Sequence, residues 1–185
     1  MRRPSSQKSI AEEEETELLE KDEQVKIVDS LKEEARAQNK FTRRGFGVVF
    51  MVVGFIFIFC LVHFQLEPWT MVHQSRFKNI IPPNFFIMFY LASIYVFFLG
   101  TAICKYGFAR LNIIFTIVGF IVSLISLAFW LHVFYVYEID IFHLFWLPFG
   151  NIACLLLAMY VDNDMNSLLK DADLLETFQY DVKSV

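Results

Sequence analysis

Residues 46–66 read FGVVFMVVGFIFIFCLVHFQL, a run without a single Asp, Glu, Lys or Arg. The hydrocarbon core of a bilayer is about 30 Å thick, and a helix needs about 20 apolar residues to cross it. Backbone amides in lipid must be bonded within a helix or a closed barrel, and the apolar residues here are continuous rather than alternating. The run is therefore predicted to be a membrane-spanning helix.

Three further apolar runs follow, each bounded by polar or helix-breaking residues. The Pro82-Pro83 pair separates the first two runs, because proline lacks the amide donor that a helix interior uses. The sequence predicts an all-α fold: a four-helix transmembrane bundle with cytoplasmic amphipathic helices at both tails. The predicted segments are a charged tail (1–44), a membrane domain (45–161) with spans at 46–66, 84–104, 111–137 and 141–161, and a second tail (162–185).

The composition supports a membrane protein and argues against nucleic-acid binding. Hydrophobic residues make up 56% of the chain, which is too much for a water-wetted surface. The net charge is -4, and the basic residues are scattered rather than clustered as phosphate binding requires. About forty polar residues precede the first apolar run, so we expect that run to act as an uncleaved insertion signal.

Basic residues flanking the spans predict the orientation, because Lys and Arg are retained on the cytoplasmic side. Lys and Arg are frequent before the first span, between the second and third spans, and after the fourth span. The other two connections, between the first and second spans and between the third and fourth spans, have only Arg76 and Lys78. Both termini are therefore predicted to be cytoplasmic. The basic flanking residues are Lys32, Arg36, Lys40, Arg43, Arg44, Lys105, Arg110 and Lys170.

Each tail carries an amphipathic pattern. Val25, Val28, Leu31 and Ala35 recur at helical spacing before the first span. After the fourth span a second apolar stripe lies opposite acidic residues, which anionic lipid would repel. A protein partner or the bundle itself is therefore expected to cover the stripe. The alternative is a tail helix without a partner. The predicted partner-binding residues are Met165, Leu168, Leu169, Ala172 and Leu175.

Four titratable residues cluster around the connection between the third and fourth runs: His132, Glu138, Asp140 and His143. Such groups bind metals or relay protons when they lie at membrane depth. The alternative is that the carboxylates mark the water boundary and the histidines anchor an aromatic belt. We favour this second interpretation, and predict no metal site.

Two features inside the apolar runs suggest helix contacts. Asn151 in the fourth run needs an interhelical partner in lipid, and Pro148 beside it frees a backbone carbonyl. Small residues four apart allow two backbones to approach closely. These pairs are Gly119 with Ser123 and Gly150 with Cys154.

Short stretches of the tails have the spacing of sorting signals. Arg2-Arg3 matches a di-arginine retention signal of the endoplasmic reticulum. Glu14 with Leu18-Leu19, and Asp164 with Leu168-Leu169, match acidic dileucine signals. The alternative is that these leucines serve only the faces of the tail helices.

Two stretches resemble known membrane families. The run from Phe98-Leu99 to Leu147-Pro148 resembles the second half of the transmembrane protein 107 family of the ciliary transition zone. The stretch Leu127 to Val133, LAFWLHV, is similar to the third span of the transmembrane protein 128 family of the endoplasmic reticulum. Neither resemblance transfers a functional residue onto this chain.

The leading functional hypothesis is a non-enzymatic scaffold or accessory subunit of a membrane complex, without a cofactor. No Ser-His-Asp set, paired intramembrane carboxylates or phosphate-binding glycine loop occurs in the sequence. The expected partners are the lipid bilayer and other membrane proteins, with the oligomeric state open. Endomembranes, above all the endoplasmic reticulum, are the expected location, with ciliary and plasma membranes as alternatives. The alternative function is small-molecule transport or lipid handling at a pocket near His132, His143 and Asn151.

Overall fold

The computed structural model of the chain describes residues 6–139 and 144–181, with side chains for residues 25–139 and 144–174. Helices joined by short turns make up this part of the chain. No strand occurs in these residues. The helices are α1 (Ser6–Leu66), α2 (Val72–Ser75), α3 (Pro83–Tyr106), α4 (Ile113–Val136) and α5 (Trp146–Asp181), with a 3-10 turn at Phe108–Arg110 between α3 and α4.

Three helices are long and apolar enough to cross a bilayer: Val25–Leu66 within α1, α3 and α4. Each of α3 and α4 has 24 residues, and at 1.5 Å per residue that is about 36 Å, more than the hydrocarbon thickness. Their outward faces are apolar as well, which a water-exposed helix would not tolerate over such a length. The chain is therefore an integral membrane protein.

The helices differ from the predicted segments mainly in their continuity. The first tail helix and the first span form one 61-residue helix, and α5 runs on into the second tail for 36 residues in all. Neither interior contains a proline beyond the first turn, so nothing breaks the hydrogen-bond ladder. The amino-terminal end of α5 is Trp146, five residues after the predicted start of the fourth span. Residues 141–143 of that predicted span lie outside the described part.

Pro148 explains where α5 begins. The first helical bond of α5 runs from the amide of Phe149 to the carbonyl of Phe145 at 3.2 Å, which makes Pro148 the last position whose amide needs no partner. Proline is tolerated there, but one residue deeper it would remove a bond. Pro148 therefore marks the start of α5 and is not a kink within it.

The chain divides into two compact units, which we call the core unit (Phe41–Asp164) and the tail unit (Met1–Lys40 with Met165–Val185). These boundaries lie three to four residues outside the membrane domain predicted from the sequence. In the tail unit the Asn39 side chain donates to the carbonyl of Met165 at 3.4 Å, and Lys32 is buried.

Within the core unit α3 contacts α1, α4 and α5. Against α1, the ring of Phe97 stacks on Phe57 at 5.4 Å between centroids. Against α5, Gly100 lies so close to Cys154 that an added Cβ would be 3.0 Å from its sulfur. Against α4, an added Cβ on Gly119 would meet Leu99 at 2.5 Å. Close approach therefore depends on Gly100 and Gly119, whereas the space around Gly150 is open.

Specific residues lie at the end of α3 and at both ends of α4. Gly107 follows α3 with a φ of 82°, a left-handed conformation that favours glycine. Asn112 caps α4 by accepting from the Ile114 amide at 3.0 Å. Glu138 follows α4 with a φ of 51°, and the Ile139 amide bonds back to the carbonyl of Phe134 at 3.1 Å. This is the 6→1 bond of a Schellman motif, so Glu138 lies at a helix terminus.

Candidate functional sites at the two ends of the core unit

An ion pair lies at the end of the core unit where α1 enters it and α5 leaves it. Arg43 Nη2 is 2.6 Å from Asp162 Oδ1, and both side chains are largely buried. The other oxygen, Asp162 Oδ2, accepts from the backbone amide of Phe108 at 2.9 Å. One carboxylate thus joins α1, α5 and the turn that follows α3. We call Arg43, Asp162 and the Phe108 amide the carboxylate junction.

Gly107 makes room for this junction. A Cβ on Gly107 would lie 3.3 Å from Asp162 Oδ1 and 3.7 Å from Arg43 Nη1, besides requiring a φ that L residues rarely adopt. The glycine therefore ends α3 and allows the carboxylate to reach the next amide. Charge-assisted hydrogen bonds of this kind are about twice as strong as neutral ones.

A second polar group lies at the opposite end of the core unit, in the segment that connects α1 to α3. Gln74 Nε2 donates to Tyr90 Oη at 2.8 Å, and His73 Nε2 is 2.8 Å from the same oxygen. Because the Tyr90 hydroxyl already accepts from Gln74, its proton is placed to be donated to His73. The imidazole is then neutral, with its own proton on Nδ1. We call these three residues the tyrosine triad.

Aromatic rings surround the tyrosine triad. His73 meets the ring of Trp146 edge-on at 5.3 Å, and Trp130 packs against Phe77 at 5.2 Å. Gln74, Tyr90 and Phe77 are fully buried. Burial lowers the pKa of His73 from its usual value of 6.5, because the charged imidazolium is poorly solvated there. The triad thus fixes α2 on α3 and couples it to α5 through Trp146.

Of the intramembrane residues predicted from the sequence, Asn151 has an interhelical partner. Asn151 is 1% exposed, and its Nδ2 donates to Ser126 Oγ of α4 at 3.4 Å. His132 lies on the exposed side of α4, and Glu138 is exposed after its end, so His132 does not share a buried site with Asn151. Asp140 and His143 lie outside the described residues. Among the described residues, no three His, Cys, Asp or Glu side chains form a metal-binding group.

The predicted partner-binding residues lie in the tail portion of α5. Met165 is buried, and Leu168, Leu169 and Ala172 are half-buried. The side chain of Leu175 is outside the described part. So are the side chains of the proposed sorting residues Arg2, Arg3, Glu14, Leu18 and Leu19.

Sequence reasoning missed the carboxylate junction and the tyrosine triad. Arg43 was interpreted only as a flanking cation, and Asp162 only as the first residue of a tail. One signal was present: Gly107 in a short turn after an apolar run is typical of a helix terminus. No comparable signal marks Gln74 or Tyr90, since a polar residue in a loop such as Gln74 usually faces water and Tyr90 is one of many aromatic residues in its span.

Comparison of this chain with protein-family models, with curated proteins and with solved structures found no match. The resemblances to the transmembrane protein 107 and 128 families stay predictions.

Replacing Asp162 by Asn should destabilise the protein by about 3 kcal/mol, because the buried ion pair of Arg43 and Asp162 would lose its negative charge. The replacement keeps an oxygen for the Phe108 amide and so tests the charge alone. Unfolding would be followed in detergent by circular dichroism with increasing denaturant. Arg44→Gln, next to Arg43 but exposed, is the matched control and should change little. A double variant Arg43→Met/Asp162→Asn should recover part of the loss; equal stability of Asp162→Asn and wild type would contradict this role.

Protein stability should fall as the pH drops below about 6.5, partly through His73. The pKa of His73 is lowered in the folded protein, so the unfolded chain binds the proton more readily and acid favours unfolding. Melting temperatures measured between neutral and mildly acidic pH would show this dependence. His73→Gln should flatten it, because glutamine accepts from Tyr90 without titrating. Identical pH dependence in wild type and His73→Gln would refute the role assigned to His73.

Proposed function

We propose that the chain crosses the bilayer four times, with the first part of α5 as the fourth span and both termini in the cytoplasm. Support comes from the way α5 packs in the core unit. Leu147, Asn151, Leu155 and Ala158 form its buried side. The opposite side is apolar yet exposed, as expected for contact with lipid. The exposed apolar residues on that side are Phe149, Leu156, Leu157 and Tyr160.

The flanking charges support the cytoplasmic placement of the termini. The carboxylate junction lies at the same end of the core unit as Arg44, Lys105 and Arg110, all of which are exposed. Arg76 and Lys78 are the basic residues of the segment between α1 and α3. The end with more exposed cations is expected on the cytoplasmic side.

Surface labelling tests this topology. Cysteines introduced at Glu34 and at Lys78, each in a variant without Cys60, Cys104 and Cys154, would be reacted with a membrane-impermeant maleimide in sealed endomembrane vesicles whose cytoplasmic face is outward. The Glu34→Cys variant should be labelled directly, and the Lys78→Cys variant only after permeabilisation. Both positions are exposed, so unequal reactivity reports the side of the membrane. The reverse pattern would overturn the orientation, and labelling of both without permeabilisation would show that α1 does not cross the membrane.

The function that the structure supports best is that of a non-enzymatic scaffold or accessory subunit, which binds a partner through its tail unit. The observation that carries this proposal is the exposed apolar surface of the tail unit. Ile27 is 56% and Leu31 is 46% exposed, one helical turn apart on α1. Leu174 of α5 is likewise exposed. Charged residues surround these side chains in the sequence, which is the composition of an interface core with a polar rim.

Partner capture tests the scaffold proposal. The full-length protein would be crosslinked in cells, solubilised in mild detergent and purified through an affinity tag, and a stoichiometric membrane partner is expected. Ile27→Asp/Leu31→Asp should release it, because charges would be forced into an apolar contact. Glu33→Lys/Glu34→Lys, on the same helix but at exposed polar positions, is a control for charge change.

The predicted stripe on α5 is tested in the same experiment. Leu168→Asp, Leu169→Asp and Leu175→Asp together should also release the partner, but unfolding of the tail unit would do so too, since the first two residues are half-buried. Helix content measured by circular dichroism separates these causes. Recovery of the bare monomer from wild type, or retention of the partner by Ile27→Asp/Leu31→Asp, would count against the scaffold.

The alternative function, transport or lipid handling, has one observation in its favour. A groove between α3 and α4 is lined in part by Ser126, the partner of Asn151. His132 does not line it. Leu replacements at His132, His143 and Asn151 should abolish such an activity while leaving partner binding intact.

A further inference from the structure

The groove between α3 and α4 has a volume of about 350 Å³. Large side chains form its walls, and two small residues, Ala92 of α3 and Ser126 of α4, leave the space between them. Phe89 and Trp130 are buried and belong to the wall, and Trp130 is only 1% exposed. The groove therefore exists because small residues face one another across an otherwise bulky helix pair.

Its position follows from the antiparallel arrangement of the two helices. The ring of Phe85, near the start of α3, stacks on Phe129, near the end of α4, at 5.3 Å and an interplanar angle of 3°. From Phe85 the lining residues continue to Ala92, about 10 Å along the helix at 1.5 Å per residue. The groove thus covers about a third of the hydrocarbon thickness, at the end of the helices away from the carboxylate junction.

The side chains at its mouth are those that face lipid. Met88 is 65% and Ile125 is 64% exposed, and both line the groove. Two lining residues carry polar atoms: Ser126 already accepts a hydrogen bond from Asn151, and the Nε1–H of Trp130 is buried without a hydrogen-bond partner among the described residues. An apolar cavity of this kind does not hold water, and its wall offers no counter-charge to a headgroup.

The membrane setting decides between two apolar occupants, an acyl chain and a helix of a partner. The groove opens outward between Met88 and Ile125, on helices that are long and apolar enough to cross a bilayer, so acyl chains surround its mouth. A helix is about 10–12 Å wide with its side chains and could only lie across the mouth, whereas a single acyl chain is thin enough to enter between two helices. An empty groove would forfeit dispersion contacts with its walls, which a flexible hydrocarbon chain restores.

We propose that this groove binds one acyl chain of a bilayer lipid. The proposal rests on α3 and α4 crossing the membrane. It goes beyond the scaffold function, because it adds a bound acyl chain that fills the space between the two helices. Trp130 in the wall makes the occupant observable, since bromine atoms on an acyl chain quench tryptophan fluorescence only at short range.

The experiment uses the full-length chain with Trp69→Phe and Trp146→Phe, which leaves Trp130 as its one tryptophan. The protein is reconstituted in phosphatidylcholine vesicles with brominated or ordinary acyl chains. Strong quenching by brominated lipid is expected. Ala92→Leu should reduce it by about half, because the larger side chain occupies the groove. Ala128→Leu, an exposed position of α4 that does not line the groove, is the matched control and should leave quenching unchanged.

Three outcomes are decisive. Equal quenching of Ala92→Leu and Ala128→Leu would show ordinary lipid contact and overturn the proposal. Weak quenching in every variant, with the protein still resistant to alkaline carbonate extraction, would mean that a protein side chain fills the groove, which also overturns it. Extraction by carbonate would instead refute the membrane-spanning arrangement itself. Circular dichroism of each variant confirms that the helices are retained.

Discussion

The constraint on which this structure depends is that a backbone amide in hydrocarbon has no water to bond, so it must find its partner within its own helix. This explains the long uninterrupted helices and the absence of strands among the described residues. It also explains why irregular backbone is confined to the short connections between helices. Each connection uses a residue suited to it: Gly107 with positive φ, Asn112 as a cap, and Pro148 within a first turn.

With the backbone satisfied, side chains decide how the helices pack, and the two ends of the core unit use different chemistry. At one end a buried carboxylate links three segments through charge and one amide. At the other end a shared tyrosine hydroxyl is enclosed by aromatic rings. Between them the contacts are mainly apolar, with a hydrogen bond from Asn151 to Ser126, and glycines allow α3 to approach its neighbours closely. Polar links thus fix the register at the ends, while packing fills the middle.

Sequence reasoning predicted the parts of the fold that lipid imposes. The helices at α3 and α4 lie within two residues of the predicted spans, because apolar length is visible in the sequence. The polar sites were not visible. Arg43 and Asp162 are 119 residues apart, and their contact depends on the rotation of two helices about their axes, which periodicity does not specify. The small-residue pattern was right in part for the same reason: Gly119 and Cys154 lie at close helix contacts, but Gly150 has open space around it, and the partner of Cys154 is Gly100, which the pattern did not include.

Pro148 has a consequence for the geometry of α5 as a whole. Because Pro148 keeps α5 from extending toward α4 and no later proline interrupts it, side chains from Pro148 onward follow one another at 100° per residue. At this spacing Asn151, Leu155 and Asp162 lie on one side of the helix, and all three are buried. The number of residues from Pro148 to Asp162 is therefore constrained by helix geometry. Insertions or deletions of residues would be accommodated outside this interval.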